Sequence, residues 1–224
     1  MSPRETRLAP PALEEFRKRV IPIATESTLA STPWYRLSTK AHATQFYPSP
    51  NSRLTPRSLS IPCCYLAPSK ETTVAEIWGD TIDAERRAAA KDPTPSNVFT
   101  LSKAIAGGQA YLQLRTPLPT LALCDLTDVE TLGKTGFEKG ALYSPDLKIP
   151  QQWAELIALH DLRFDGIIYR SRHTDEKCLV LFSRPVGRDL KSKLVFDPAG
   201  EFRHSLAAQR LAARMGMRIS FLDI

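Results

Sequence analysis

A chain of 224 residues with 42% hydrophobic and 24% charged content can bury one sizeable core without disulfide staples or a structural metal, so one domain is the default expectation. Its 30 Lys and Arg against 24 Asp and Glu give a formal net charge of +6, but the basic residues are dispersed, with neither the aromatic-interleaved platform nor the helix-turn-helix pattern of a nucleic-acid binder, and suit a polyanionic small molecule or an acidic partner instead. No run of eighteen uninterrupted apolar residues occurs and no basic segment leads into an apolar one at the amino terminus, so the expectation is a soluble cytoplasmic protein without membrane association.

Residues 1–32 begin Pro-rich and then place Leu13, Phe16 and Val20 at helical spacing among Glu14, Glu15, Arg17 and Lys18, which predicts an amphipathic helix on the outside of the domain. Trp34–Ser38 predicts a short strand. Residues 39–60, rich in Ser, Thr, Pro and Asn, predict a long loop of the functional or mobile kind. Ile61–Ala67 then reads as an apolar strand running straight into a helix over Lys70 to about Ala90. Ser69 can cap that helix, and Val74, Ala75, Ile77 and Trp78 can seat it on a core.

Further along, Leu101–Ala106 reads as a helical turn, and Ala110–Leu114 and Leu118–Leu126 as strands broken at Pro117 and Pro119. Pro150–His160 predicts a helix with Pro150 in its first turn. Ile167–Tyr169 and Cys178–Ser183 predict strands. Lys193–Phe196 and Glu201–His204 read as a hairpin around Asp197-Pro198-Ala199-Gly200. A helix over Leu206–Met215, closed by Gly216, and a strand at Arg218–Leu222 complete the chain.

This order predicts an α+β domain with a mixed sheet. Neither a Gly-x-Gly-x-x-Gly nor a Gly-Lys-Ser/Thr phosphate cradle is present. The four cysteines, Cys63, Cys64, Cys124 and Cys178, sit in apolar strand-like runs, with Cys63 and Cys64 expected on opposite strand faces. They and the scattered His42, His160, His173 and His204 lack metal-ligand spacing, so no metal is expected.

Four stretches carry the chemistry in order: Trp34-Tyr35-Arg36-Leu37, then Asn51-Ser52-Arg53-Leu54-Thr55-Pro56, then Tyr65-Leu66-Ala67 leading to Ala75-Glu76, and last Gly166-Ile167-Ile168-Tyr169-Arg170-Ser171 before a strand ending in Phe182. The order resembles the RES-domain family over roughly residues 33–186, with an N-terminal extension at 1–32 and a C-terminal segment at 187–224 packing on the same domain. The chain departs from the family's second arginine turn at Ser52 and at Leu54-Thr55. Arg53 is favoured there by the position of Pro56 and the interval to Tyr65, and Arg57 is the alternative.

The resemblance implies a fold like that of the ADP-ribosyltransferases, with a mixed central sheet flanked by helices. It also implies NAD as substrate and no bound cofactor. The implied site residues are Glu76, Ser171, Tyr65, Arg36 and Arg53, with Tyr35 among the NAD-binding ones. Glu76 would stabilise the oxocarbenium-like ribose that forms as nicotinamide leaves, and Arg36 and Arg53 would hold the pyrophosphate. The implied function is a toxin of a toxin–antitoxin pair that depletes NAD, with inorganic phosphate or water as acceptor. A Xre-like antitoxin would be the partner, any nucleic-acid contact would run through it, and homo-oligomers within the complex are compatible with it. Protein mono-ADP-ribosylation is the alternative enzymatic outcome, and a non-catalytic basic interaction module the alternative from another class.

Overall fold

The computed structural model describes residues 8–24, 32–42, 46–47, 51–57, 61–91, 97–115, 121–184 and 189–222. In chain order these form α1 (Leu13–Arg17), β1 (Tyr35–Thr39), β2 (Cys63–Leu66), α2 (Lys70–Ala89), β3 (Val98–Ser102), α3 (Lys103–Gly107), β4 (Gln109–Leu114), β5 (Leu123–Asp125), α4 (Val129–Thr135), α5 (Lys139–Leu142), α6 (Lys148–Leu159), β6 (Gly166–Arg170), β7 (Lys177–Phe182), β8 (Phe196–Glu201), α7 (Leu206–Arg214) and β9 (Arg218–Leu222), with short 3-10 turns at Lys40–His42 and Phe202–His204.

A four-stranded sheet in the order β2-β7-β6-β5 lies at the centre. It is mixed, because β5 and β6 run parallel while β6 with β7 and β2 with β7 are antiparallel. Strand alternation gives each face its own core. Cys63, Cys124, Ile167, Tyr169, Val180 and Phe182 pack with Phe16 of α1 and Trp153 and Ile157 of α6. Cys64, Leu66, Ile168, Leu179 and Leu181 pack instead with Leu112 and Leu114 of β4 and Phe196 of β8. The adjacent cysteines thus do point to opposite faces.

The second face meets an antiparallel three-stranded sheet in the order β1-β4-β8. Paired hydrogen bonds between Tyr35 and Ala67, of 2.8 and 2.9 Å, join the two sheets at one point. A third cluster packs Val74 and Ile82 of α2 with Leu37, Tyr111, Phe99, Leu101 and Leu211, next to a parallel pair of β3 and β9. The result is α+β with a mixed central sheet flanked by helices. No helix among the described residues is long and apolar enough to cross a membrane.

Four expectations need correction. The N-terminal helix is five residues long and ends before Val20, which is 82% exposed: Phe16 seats against Trp153 and His160 with Leu13 partly buried on the same core, and Val20 joins neither. Residues 98–102 are a strand, paired with the distant β9, and the helical turn begins only at Lys103. The expected hairpin at 193–204 is a single strand, β8. Pro198 is tolerated there because β8 is an edge strand, and Gly200, at φ 116°, lies beside a register shift that leaves Ala199 unpaired. Of the strand expected at 118–126, residues 118–120 lie outside those described, and the strand among the described residues is Leu123–Asp125. Helices α4 and α5 were not expected.

Candidate active site

The β2–α2 junction is built as a fastening. The backbone N–H of Thr72 donates to the Ser69 hydroxyl at 3.2 Å, capping α2. The Ser69 hydroxyl in turn donates to Glu176 Oε2 at 2.7 Å, and the Thr72 hydroxyl donates to the same oxygen. A carboxylate at a helix N-terminus is also favoured by the helix dipole. The start of α2 is therefore tied to the hairpin of β6 and β7. With Thr72, Thr73, Val74, Ala75, Gly79 and Ile82 buried, α2 turns Glu76, Ile77 and Asp80 outward into a cleft of about 760 Å³.

Glu76 is exposed to that cleft but fixed: the Tyr169 hydroxyl, at the end of β6, donates to Glu76 Oε2 at 2.7 Å. Burial first, and the Glu76 carboxylate second, push the Tyr169 phenol well above its ordinary range. The Tyr169 hydroxyl therefore keeps its proton and serves as the donor of this bond. A carboxylate held this way has one oxygen engaged and the other open to whatever enters.

Tyr65, on the same sheet face as Tyr169, acts on a different segment. Its hydroxyl accepts from the Leu54 backbone N–H at 3.1 Å and lies 3.2 Å from Thr55 Oγ1, which pins the loop carrying Arg53. Burial pushes its phenol upward as well, with the Cys63 thiol next in effect. Arg53 donates from Nη1 to the Ser144 carbonyl at 2.6 Å and sets Nη2 3.5 Å from Asp80 Oδ2. Burial lowers its guanidinium from the usual value while Glu76 works against that shift. Arg36 enters from β1, buried, with Nη1 3.6 Å from Cys64 Sγ.

The remaining wall comes from the β6–β7 turn. Arg172 forms an ion pair with Asp80, and His173 Nε2 lies 3.0 Å from Asp80 Oδ1. Burial, then the neighbouring Arg172 charge, lower the His173 imidazole, with Glu76 working against them. Gly79 permits this packing, since a Cβ there would lie 2.5 Å from the His173 ring.

Of the residues singled out in the sequence, the fold brings Arg36, Arg53, Tyr65 and Glu76 to one cleft. Tyr35 and Ser171 do not line it. Tyr35 alternates away from Arg36 on β1 and lies under the Lys70 ammonium, 5.7 Å from its ring centroid. Ser171 is buried in the β6–β7 turn, donating from its backbone N–H to the Glu176 carbonyl at 2.9 Å and accepting at Oγ from the His173 N–H at 3.4 Å. It shapes the turn that presents Arg172 and His173. Arg57 is exposed and outside the cleft wall, whereas Arg53 lies in it. Sequence reasoning missed Tyr169, Asp80, Arg172 and His173 as site residues. The signals were a tyrosine ending an otherwise apolar strand and an aspartate one helical turn beyond Glu76.

The four thiols are buried and unpaired by disulfides, and burial raises those of Cys63, Cys64, Cys124 and Cys178, so none is a ready nucleophile. Among the described residues no three His, Cys, Asp or Glu side chains gather to hold a metal ion.

The family model for the RES domain matches residues 33–204, and the chain belongs to that family. Among solved structures, a chain of the M. tuberculosis MbcT-MbcA toxin-antitoxin complex aligns with 18% identity and a TM-score of 0.53, covering 90% of this chain and 96% of that one, a likeness of fold. No curated protein matches the sequence significantly.

Proposed function

We propose that this RES-domain protein breaks the nicotinamide–ribose bond of NAD, as the toxin of a toxin–antitoxin pair. The observation that carries the reading is a carboxylate, Glu76, held by the Tyr169 hydroxyl at 2.7 Å in a cleft whose other walls carry Arg36 and Arg53. Arginines suit the substrate's diphosphate, which guanidinium forks can engage bidentately. The carboxylate suits the charge that appears on the sugar.

In the reaction, the bond between the ribose C1′ and the pyridinium nitrogen breaks and its electron pair leaves on nicotinamide, which departs neutral. Positive charge passes to C1′ and the ring oxygen of the ribose. Glu76 opposes that charge at short range, and stabilises the transition state more than a ground state whose charge still lies on the pyridinium ring. An oxygen nucleophile then bonds to C1′: a phosphate oxygen directly, or water with loss of one of its protons to solvent. The likeness to a chain of a toxin–antitoxin complex supports the toxin half of the proposal and an antitoxin as partner; that the antitoxin is Xre-like is what the family resemblance implies.

Incubating purified chain with NAD, with and without inorganic phosphate, and separating the products tests the chemistry. Nicotinamide with ADP-ribose in both arms is the expected outcome of hydrolysis, and nicotinamide with an ADP-ribose phosphate, only in the arm containing phosphate, that of phosphorolysis. Undiminished NAD after long incubation with antitoxin-free protein would overturn the proposal. Growth arrest on expression, relieved by co-expression of the adjacent gene, tests the toxin reading. A harmless chain without such a neighbour would defeat it.

A further inference from the structure

Two donors of Arg53 are already engaged in the cleft. Nη1 donates to the Ser144 carbonyl, and Nη2 faces Asp80 Oδ2 at 3.5 Å. Arg172, arriving from the other side, is paired with Asp80 Oδ1, and His173 Nε2 lies 3.0 Å from that same oxygen. One small anion, presenting two oxygens in two directions, thus joins the 51–57 loop to the β6–β7 turn. Asp80 is also half exposed, its side chain at 51%, so the anion it represents sits at the open face of the cleft and not in the core.

We infer that Asp80 is a built-in stand-in for a substrate phosphate, occupying an oxyanion site formed by Arg53, Arg172 and His173 that the diphosphate of the nucleotide takes over on binding. The inference deepens the reading above and rests on it for the identity of the natural ligand. Spacing supports it. Asp80 follows Glu76 by four residues, which sets their Cβ atoms about 5–6 Å apart on one helix face. That is roughly the span of a ribose between its anomeric carbon and its 5′-phosphate. A nucleotide with C1′ beside Glu76 is thus of a length to reach Asp80 with its nearer phosphate.

The exchange has a direct consequence. A carboxylate that must yield to phosphate lowers the affinity of its own site, both by neutralising one guanidinium and by repelling the incoming charge. Asp80→Asn should therefore tighten anion binding, the reverse of what loss of a structural residue does. The probes are inorganic pyrophosphate and ADP-ribose, titrated calorimetrically into the folded full chain at low and at moderate salt. For Asp80→Asn we expect Kd to fall about three- to tenfold at low salt for both probes, with the gain shrinking as salt rises. Asp83→Asn makes the same charge change three residues on, where the carboxylate pairs with Arg86 and Arg87. It should leave both affinities unchanged, and an equal gain there would reduce the effect to net charge and overturn the site. Unchanged or weaker pyrophosphate binding by Asp80→Asn would overturn the inference too. Tighter pyrophosphate binding by a chain that never cleaves NAD would keep the anion site and remove the reaction proposed for it.

Discussion

Glu76→Gln isolates one charge while keeping the length of the side chain and an oxygen that can accept from Tyr169. The magnitude follows from where charge moves during the reaction. A full positive charge about 4 Å from a carboxylate interacts with it by about 4 kcal/mol at an effective dielectric constant near 20. NAD already carries a positive charge on the pyridinium ring in the ground state, one bond away from C1′, so about half of that interaction is present before the bond breaks. The differential left to the transition state is about 2 kcal/mol, and each 1.36 kcal/mol is about a factor of ten.

Glu76→Gln should then lower kcat by about thirtyfold, with KM within a few-fold of the unmodified chain, because an interaction strengthened only in the transition state appears in kcat. The assay is nicotinamide release under saturating NAD, with the fold checked by circular dichroism. Stability should hardly change, since Glu76 is exposed to the cleft and away from the buried face of α2. A rate within threefold of the unmodified chain would mean that Glu76 is a solvated helix residue and that the reasoning fails at its centre.

Three other outcomes follow from the same geometry. Tyr169→Phe removes only the hydroxyl that orients Glu76, a hydrogen bond to a charged group of about 1.5–3 kcal/mol, and should lower kcat by about tenfold with a native circular dichroism spectrum; an undiminished kcat would show that Glu76 needs no orientation. Arg53→Lys loses the guanidinium fork and should raise KM for NAD by about tenfold, whereas Arg57→Lys, outside the cleft wall, should be silent in the same kinetics; the opposite pattern would move the role to Arg57. Gly79→Ala gains helix propensity of about 1 kcal/mol but drives a Cβ to 2.5 Å from the His173 ring, so the melting temperature should fall by about 3 °C or more and activity with it; a raised melting temperature would show that the ring moves aside without strain.

The legible parts of the fold were those whose signals are local. Ser69 before an apolar-faced helix announced α2, and Gly216, with φ 73°, marked the end of α7. The strands bracketing Arg36, Tyr65 and Tyr169 read correctly because their apolar runs are short and bounded. Helix α4 also has local signals, an Asp128 cap accepting from the Thr131 N–H and a left-handed Gly136, and could have been read from them. What failed depends on distant partners. Pro198 looks like a turn residue until β4 pairs with it as an edge strand, and Val98–Ser102 is a strand because β9 lies beside it. At the site, Arg36, Arg53, Tyr65 and Glu76 converge as their order suggested. Tyr35 and Ser171 carry the same kind of side chain in the same motifs, yet strand alternation turns one away and turn geometry buries the other.

The placement of Glu76 rests on two fastenings between α2 and one hairpin, and they differ in kind. At the base of the helix, Glu176 of β6–β7 receives the Ser69 and Thr72 hydroxyls, so the first turn of α2 cannot slide relative to the sheet. About two turns along, Tyr169 of the same hairpin reaches Glu76. Between them the helix buries Thr73, Val74 and Ala75, which sets its rotation. Near neighbours set the rotation of this one carboxylate, but its position and register are set by residues about a hundred positions away in the chain. A single glutamate in an amphipathic helix carries no trace of this in its own neighbourhood. The second contact also explains why a tyrosine, and not a phenylalanine, ends β6: the ring fills the same core as Cys178 and Val180, while the hydroxyl alone reaches the cleft.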